Sequence, residues 1–555
     1  MPAPTKRVLV HSPDLRQFDA LQAAMRALTG DAPDDPIAWG GLRLSCDCHA
    51  APEALLAAVA REYVNLLVLD LRAPRTPGAH TTVHARARTL LEALDRTEDV
   101  EDRYAFHRIL ALVGGPADDA SDALVRDLGQ WGVGAVLRDP GFGDPAVDPS
   151  VFARALLDRV TTMVQTRTPG KRALCAAGGG ITGIFFELGA LKCLDDCLVG
   201  GGVNDFDLYF GISAGAVVTA PLVIGYSVDE FMAAIAHVPG GRIAPLDLRL
   251  FQLGHVDLPG FARRAGLALR TAAGGVRSLL RGGDHDDTRD QLLFDYADLV
   301  APPFRTDRLE QMLRAVLEAP GGTNDFRRLP RPLFIGTTDQ DERRHVLFGD
   351  EDHRDVPISR AIQASLSINP AFSSTRIDGR YFEDGAITRT SNFVEAIRRG
   401  ADLIFVLDPF LPYISRAPGL NHRRGILYNL DQDVRTISYT RYETTRNSVL
   451  RQHPEVSSYT FVPPNRLRQL ISTNPMDHRP YLEIWRGAYL GTLARLQHIA
   501  HRVAGDLGTH GLALDFSRAD AVAQRLVARR PAAFADFFPD GRIALKIPPL
   551  TGPRR

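Results

Sequence analysis

An α/β fold is predicted for this chain, and three observations carry the prediction. Short apolar runs alternate with segments whose apolar residues recur near every 3.6 positions. A run of glycines at 178–180 stands between one such strand and helix, and a serine flanked by glycines at 211–215 follows another strand. Composition supports a folded chain: 555 residues with 45% hydrophobic and 24% charged side chains can bury a sizeable core. Lys plus Arg number 65 against 66 Asp plus Glu, a net charge of −1, so no global field draws the chain to nucleic acid or an anionic surface. No nucleic-acid partner is expected, and any basic surface must be local. The N-terminus carries neither a signal-peptide pattern nor a lipidation motif, and no apolar run of spanning length occurs. A cytoplasmic protein is the expectation.

Residues 1–168 form the first predicted domain. Residues 7–11 (RVLVH), 64–70 (VNLLVLD), 109–113 (ILALV) and 133–137 (VGAVL) read as buried strands, with helices at 15–27 and 52–62 between the first of them. Such alternation implies a doubly wound parallel sheet, which places ligands at the carboxyl ends of its strands, where Asp70 lies. By strand order and Asp70 the segment resembles a response-regulator receiver domain. It departs at the positions that resemblance would make functional. His11 and Ser12 stand where paired acids are expected, with Asp14 further on, and Arg138 stands where a lysine is expected. Without acids to hold a divalent ion, the expectation is a non-phosphorylatable module for docking a protein partner or for self-association, with Asp70 structural.

Five cysteines in so long a chain are not a disulfide framework. Cys46 and Cys48 beside His49 suggest a metal clip, but no second Cys/His pair completes a four-ligand site. Buried thiols are the better reading, and neither metal nor cofactor is expected.

Residues 166–172 (TRTPGKR) read as a linker, and 172–415 as the catalytic domain with an insertion at about 240–305. Within it, strands are predicted at 173–177, 206–210, 332–336, 345–348 and 403–407, with helices at 184–193 and from Ala214. Residues 416–555 read as a helical C-terminal extension with an extended run near 458–462 and a Pro-marked tail.

Three motifs carry chemistry. Gly211-Ile212-Ser213-Ala214-Gly215 fits the nucleophile elbow, a sharp strand-to-helix turn that exposes a serine beside the free N–H groups of a helix start. Alone the pattern is weak, and a glycine-rich structural turn competes with it. Upstream, Gly178, Gly179 and Gly180, followed by Gly183, expose successive backbone N–H groups able to hold an oxyanion. The same glycines fit a dinucleotide fingerprint, but the acids at the right distance, Asp195 and Asp196, fall at a helix end instead of a strand end. The third motif is Asp384-Gly385-Ala386, which in isolation is an ordinary turn.

In this order the three motifs resemble the patatin-like phospholipase family, over about residues 172–410. The segments 361–372 (AIQASLSINPAF), 377–379 and 392–407 add to the likeness. The resemblance implies a three-layer α/β/α core that cleaves carboxylic esters of lipids or phospholipids through a Ser–Asp dyad and an acyl-enzyme, and with that substrate a transient, peripheral contact with a membrane surface. It makes Ser213 the nucleophile, Asp384 the base and Gly178, Gly179 and Gly180 the oxyanion loop, with Gly183, Gly211, Gly215 and Gly385 supporting the motifs. Two positions depart from the family: Ala177 where an acid often stands, and Thr182 where a basic residue often stands. A Ser-His-Asp triad drawing on His422, His453, His478 or His498 is the competing mechanism. Two other classes stay open, a catalytically silent lipid-binding scaffold and an acyltransferase using the same serine. Residues 261–281 alternate leucines with arginines, a pattern suited to a lipid interface or to a solvated surface helix.

Overall fold

Two sheets organise the chain, each in its own compact unit. The computed structural model describes residues 5–73, 79–95, 104, 106–115, 118–164, 169–248, 266, 306–369, 371–453 and 455–545. The basic amphipathic pattern at 261–281 and nearly all of the expected insertion lie outside the described residues, as does the first half of the expected linker.

The first unit comprises residues 1–169, 450–455 and 498–510. Its strands are β1 (Thr5–His11), β2 (Ile37–Trp39), β3 (Leu42–His49), β4 (Leu66–Leu71), β5 (Ile109–Gly114) and β6 (Ala135–Asp139), in the order β2-β3-β1-β4-β5-β6. All pairs are parallel except β2 with β3. Every residue of β4 and β5 is buried. Alternate side chains of a strand point to opposite faces, and they feed two separate cores here. Val8, Val10, Leu66 and Val68 join one with the helices Leu15–Thr29 and Pro149–Val164; Leu9, Leu67 and Leu69 join the other with Pro52–Arg61 and Ala79–Asp95. A sheet covered on both faces in this way is doubly wound, as predicted.

Sequence reasoning missed the β2–β3 hairpin because β3 (LRLSCDCH) has no continuous apolar run. Cys46 and Cys48 lie two apart on β3 and pack against one core. Burial pushes their thiols up to about 12 and about 11, so both stay protonated at neutral pH.

The carboxyl edge of this sheet is filled by an arginine. Arg72 donates from Nε to one Asp70 oxygen and from Nη2 to the other, both at 2.9 Å, and reaches Asp139 through Nη1 at 3.2 Å. Ser12 Oγ donates to Asp70 as well, at 3.1 Å. Asp70 is 2% exposed and its oxygens are engaged by these donors. Removing one partner of a buried ion pair leaves an uncompensated charge. Arg72→Ala, which strands two carboxylates, is therefore expected to destabilise this unit by about 3–5 kcal/mol in urea unfolding.

The second unit comprises residues 170–449, 456–497 and 511–555. Its main sheet runs β12-β13-β10-β9-β7-β14-β15, with β11 paired to β10. These strands are β7 (Lys171–Ala176), β9 (Leu208–Ile212), β10 (Leu333–Asp339), β11 (His345–Phe348), β12 (Thr375–Ile377), β13 (Arg380–Asp384), β14 (Ala401–Leu407) and β15 (Ser457–Phe461). The pairs from β10 through β9, β7 and β14 to β15 are parallel, while β11, β12 and β13 join antiparallel. A two-residue pair, β8 (Leu198–Val199) with β16 (Ala513–Leu514), stands apart.

The segment beyond residue 416 is mostly helical, with helices Ile426–Gln452, Asn465–Thr473, Tyr481–Thr509 and Ser517–Ala528. It is more than an appendage, because β15 extends the main sheet beside β14. Among the described residues no helix is long and apolar enough to cross a membrane.

Candidate active site

Two registers bring the motif residues together. On β10, Gly336 lies opposite Ile212 of β9, and Thr337 lies opposite Asp384 of β13. Ser213 and Asp384, far apart in sequence, thus emerge at the ends of strands that flank β10.

Ser213 joins β9 directly to the helix Ala214–Ile224 and takes φ 52° and ψ −117°. A non-glycine residue held at positive φ stores strain of about 1–3 kcal/mol and persists only where its surroundings enforce it. The Ser213 N–H donates to Ser365 Oγ at 2.7 Å, and Ser365 Oγ donates to the Gly336 carbonyl at 2.7 Å. Gly215 is required by close approach, since a Cβ there would stand 2.2 Å from the Ala176 carbonyl oxygen. That tight contact seats the helix start against β7, and the Gly215 N–H donates to Ala177 at 3.0 Å. Gly211 passes equally close to Ala216, and Gly385 to Gly336.

Asp384 is 1% exposed, and the Ser213 side chain lies near enough to its carboxyl to favour the ionised form. The Ala386 N–H donates to its Oδ1 at 2.8 Å, its own N–H donates to Ser367 at 3.1 Å, and Thr338 Oγ1 donates to its carbonyl at 3.0 Å. Burial raises the carboxyl to about 7, against the opposing pull of Ser213 and Ala386. Neighbouring Glu383 adds to the rise. A buried carboxyl poised near neutrality, close to a serine at a strained turn, is suited to accept that serine's proton. Of the residues singled out from sequence, Asp384 is the carboxylate that these registers bring near Ser213.

Gly178 packs directly on the serine: a Cβ there would lie 3.3 Å from Ser213 Cβ and 3.9 Å from its Oγ. Among the described residues the N–H groups of Gly178, Gly179 and Ala214 have no acceptor. The Ala214 donor, at the start of the helix, was not singled out from sequence, although it follows from the elbow itself. Gly179 and Gly183 pack against Pro409, and Gly180, at φ 66°, against the Pro475 carbonyl. The helix runs from Gly180 to Cys197, longer than predicted at both ends.

Thr182, one of the two departures from the family pattern, is fully buried. Its N–H donates to the Pro475 carbonyl at 3.1 Å, and its Oγ1 lies 3.2 Å from the Ile471 carbonyl and 3.3 Å from that of Pro475. The hydroxyl anchors the glycine loop to the segment around Ile471–Pro475.

Sequence reasoning also missed the polar shell behind Asp384. His345 Nδ1 bonds Thr388 Oγ1 and its Nε2 bonds Asn392 Oδ1, both at 2.9 Å, and Thr388 Oγ1 is 2.9 Å from Thr338 Oγ1. Desolvation holds His345 down at about 4, with Arg389 contributing, so the ring is neutral at pH 7. Ordinary threonines and a lone histidine carry no sequence signal for such a role.

Fold and site together define an α/β protein in which a serine at a strained strand-to-helix turn lies near a buried carboxyl. Residues 174–397 match the family model described as patatin-like phospholipase. A curated relative, the cUMP-AMP-activated phospholipase of Escherichia coli, is 42% identical over 69 residues, 12% of this chain. The chain spans about a fifth of that relative's length (21%). Among solved structures, VipD from Legionella pneumophila is 14% identical with a TM-score of 0.28, covering 65% of this chain and 75% of that one. The type III effector protein ExoU is 17% identical with a TM-score of 0.21, covering 65% of this chain and 64% of its own. At those scores the two structural likenesses carry no argument.

Proposed function

We propose that the chain is a lipid acyl hydrolase that cleaves carboxylic esters of phospholipids through Ser213 and Asp384. The observation that carries the reading is the pair of strand registers that sets Ser213, at its strained turn, near a buried Asp384 carboxyl, which burial raises to about 7. The match of residues 174–397 to patatin-like phospholipases supports the substrate class.

In this mechanism Asp384 takes the Ser213 proton as Oγ attacks the ester carbonyl carbon. The N–H groups of Gly178, Gly179 and Ala214 hold the oxyanion, with the helix start adding its partial positive charge. The tetrahedral adduct collapses, the ester C–O bond breaks, and Asp384 returns the proton to the leaving alcohol. Water, deprotonated by the same carboxylate, then attacks the acyl-enzyme, releases the fatty acid and restores Ser213. The test is mass-spectrometric detection of free fatty acid from phospholipid vesicles. Release by the native chain and none by Ser213→Ala supports the reading. No release by a folded native chain, or equal release by both, removes it. Acyl transfer to an added alcohol in place of water would assign the same serine to an acyltransferase.

If Thr182 substitutes for a basic residue by anchoring the oxyanion loop, Thr182→Val is expected to lower kcat by about tenfold, near 1.4 kcal/mol, with little change in KM. Steady-state kinetics on a soluble ester reads this split. We further propose that residues 1–168 are a non-phosphorylatable receiver-like module for docking, in which Arg72 occupies the place a divalent ion would need.

A further inference from the structure

Solvent-facing positions of a long helix are ordinarily polar, yet the outward face of the helix Ile426–Gln452 carries Leu430, Val434 and Ile437, exposed at 45%, 40% and 65%. At about 100° per residue these three and Arg441 fall on one stripe roughly 60° wide. Asp433 stands at the edge of the stripe, and Asp431 is tied to Arg435 at 2.7 Å. At its far end Arg441 donates to the carbonyls of Ile387 at 2.7 Å and Ala386 at 2.9 Å. Those residues follow Asp384-Gly385 directly, and Ile387 is itself 40% exposed. The stripe is therefore continuous with the loop that holds the proposed base.

Apart from Asp433 at its edge, the charge along and beside the stripe is basic. Among the described residues neither Arg389 nor Arg441 has a carboxylate within salt-bridge distance, and nor do Arg416, Arg423 and Arg424 just ahead of the helix. Arg441 is half-buried, and both burial and Arg389 push its guanidinium down from the usual range, as expected of a cation lacking a counter-charge. Exposed aliphatic side chains beside uncompensated guanidinium groups suit the boundary of an anionic bilayer. There the aliphatic groups enter the acyl region while arginines stay with phosphates.

We propose that Leu430, Val434, Ile437 and Ile387, with Arg389 and Arg441, form the face that docks this chain on an anionic phospholipid bilayer. The proposal rests on the lipid-hydrolase reading and deepens it, since the docked face adjoins Asp384.

The test is co-sedimentation with vesicles of phosphatidylcholine alone or mixed with phosphatidylglycerol, using the Ser213→Ala chain so that lipid is not consumed. Tighter binding to the phosphatidylglycerol vesicles is expected. A Val434→Glu/Ile437→Glu pair should weaken it at least about thirtyfold, and Arg389→Gln about fivefold, with loss of salt sensitivity. A milder Val434→Ser/Ile437→Ser pair, expected to weaken binding in the same direction, guards against misfolding of the first. The proposal is overturned if the parent binds neither vesicle or if both pairs bind as the parent does. It is also overturned if the parent sediments as a dimer that the pairs dissociate, which would assign the stripe to a second copy. Fluorophosphonate labelling of native Ser213 is measured separately. Vesicle binding that survives in a chain whose serine does not label keeps the docking face and removes the hydrolase reading.

Discussion

Ser213→Ala is expected to lower hydrolysis of a soluble short-chain ester by about 10⁴–10⁶-fold while leaving the fold intact. Alanine keeps the backbone N–H that donates to Ser365, so the strained turn retains its anchor. The N–H groups of Gly178, Gly179 and Ala214, proposed to hold the oxyanion, remain as well, so the loss reports the nucleophile alone. A fall of tenfold or less, measured on a variant that melts as the native chain does, would place the chemistry on another residue.

Asp384→Asn carries the second large effect, and it acts on activity and stability in opposite directions. The amide cannot take the serine proton, so kcat is expected to drop by about 10³–10⁴-fold. For stability the sign follows from proton binding. The folded carboxyl ionises at about 7, against 3.8 for an unperturbed aspartate. Between those values the folded chain holds a proton that the unfolded chain has released. The contribution of Asp384 to stability is thus undiminished below about pH 4, falls as pH rises toward 7, and stays reduced above it, by on the order of 4 kcal/mol. Asparagine carries no charge at any of these pH values and can still accept the Ala386 N–H. The variant is expected to melt above the native chain at pH 8 and together with it at pH 4, in thermal scans at the two pH values. A variant that melts lower at pH 8 would contradict a desolvated carboxyl.

How much of this could be read from sequence depended on what each feature demands of its residues. The doubly wound sheet was legible because β4 and β5, buried on both faces, must be continuous apolar runs. The elbow was legible because the helix start lies so close to β7 that position 215 admits no side chain. Asp384 had no such signature, since Asp-Gly turns are common; only its company with the other two motifs gave it meaning. Ser365, Thr338 and His345 were not legible, because their roles come from the register of β10 with β9 and β13. Arg72 was overlooked for a different reason. The positions that the receiver resemblance makes functional are His11, Ser12 and Arg138, whereas the counter-charge to Asp70 sits two residues further along its own strand exit. The extended run near 458–462 carries no sign in sequence of the strand it pairs with. It reaches β14 only after the crossover helix Ile426–Gln452, a pairing that local pattern cannot reveal.

If Ser213 is activated by a carboxyl that ionises near neutrality, the rate of fluorophosphonate labelling should follow that ionisation. Labelling measured across pH, with Ser213→Ala and Asp384→Asn alongside, is expected to be confined to Ser213, with a rate that climbs through an inflection at about 7 in the native chain and a slow, flat profile in Asp384→Asn. Labelling that survives Ser213→Ala, or an Asp384→Asn profile that keeps the native inflection, would show that Asp384 does not activate Ser213.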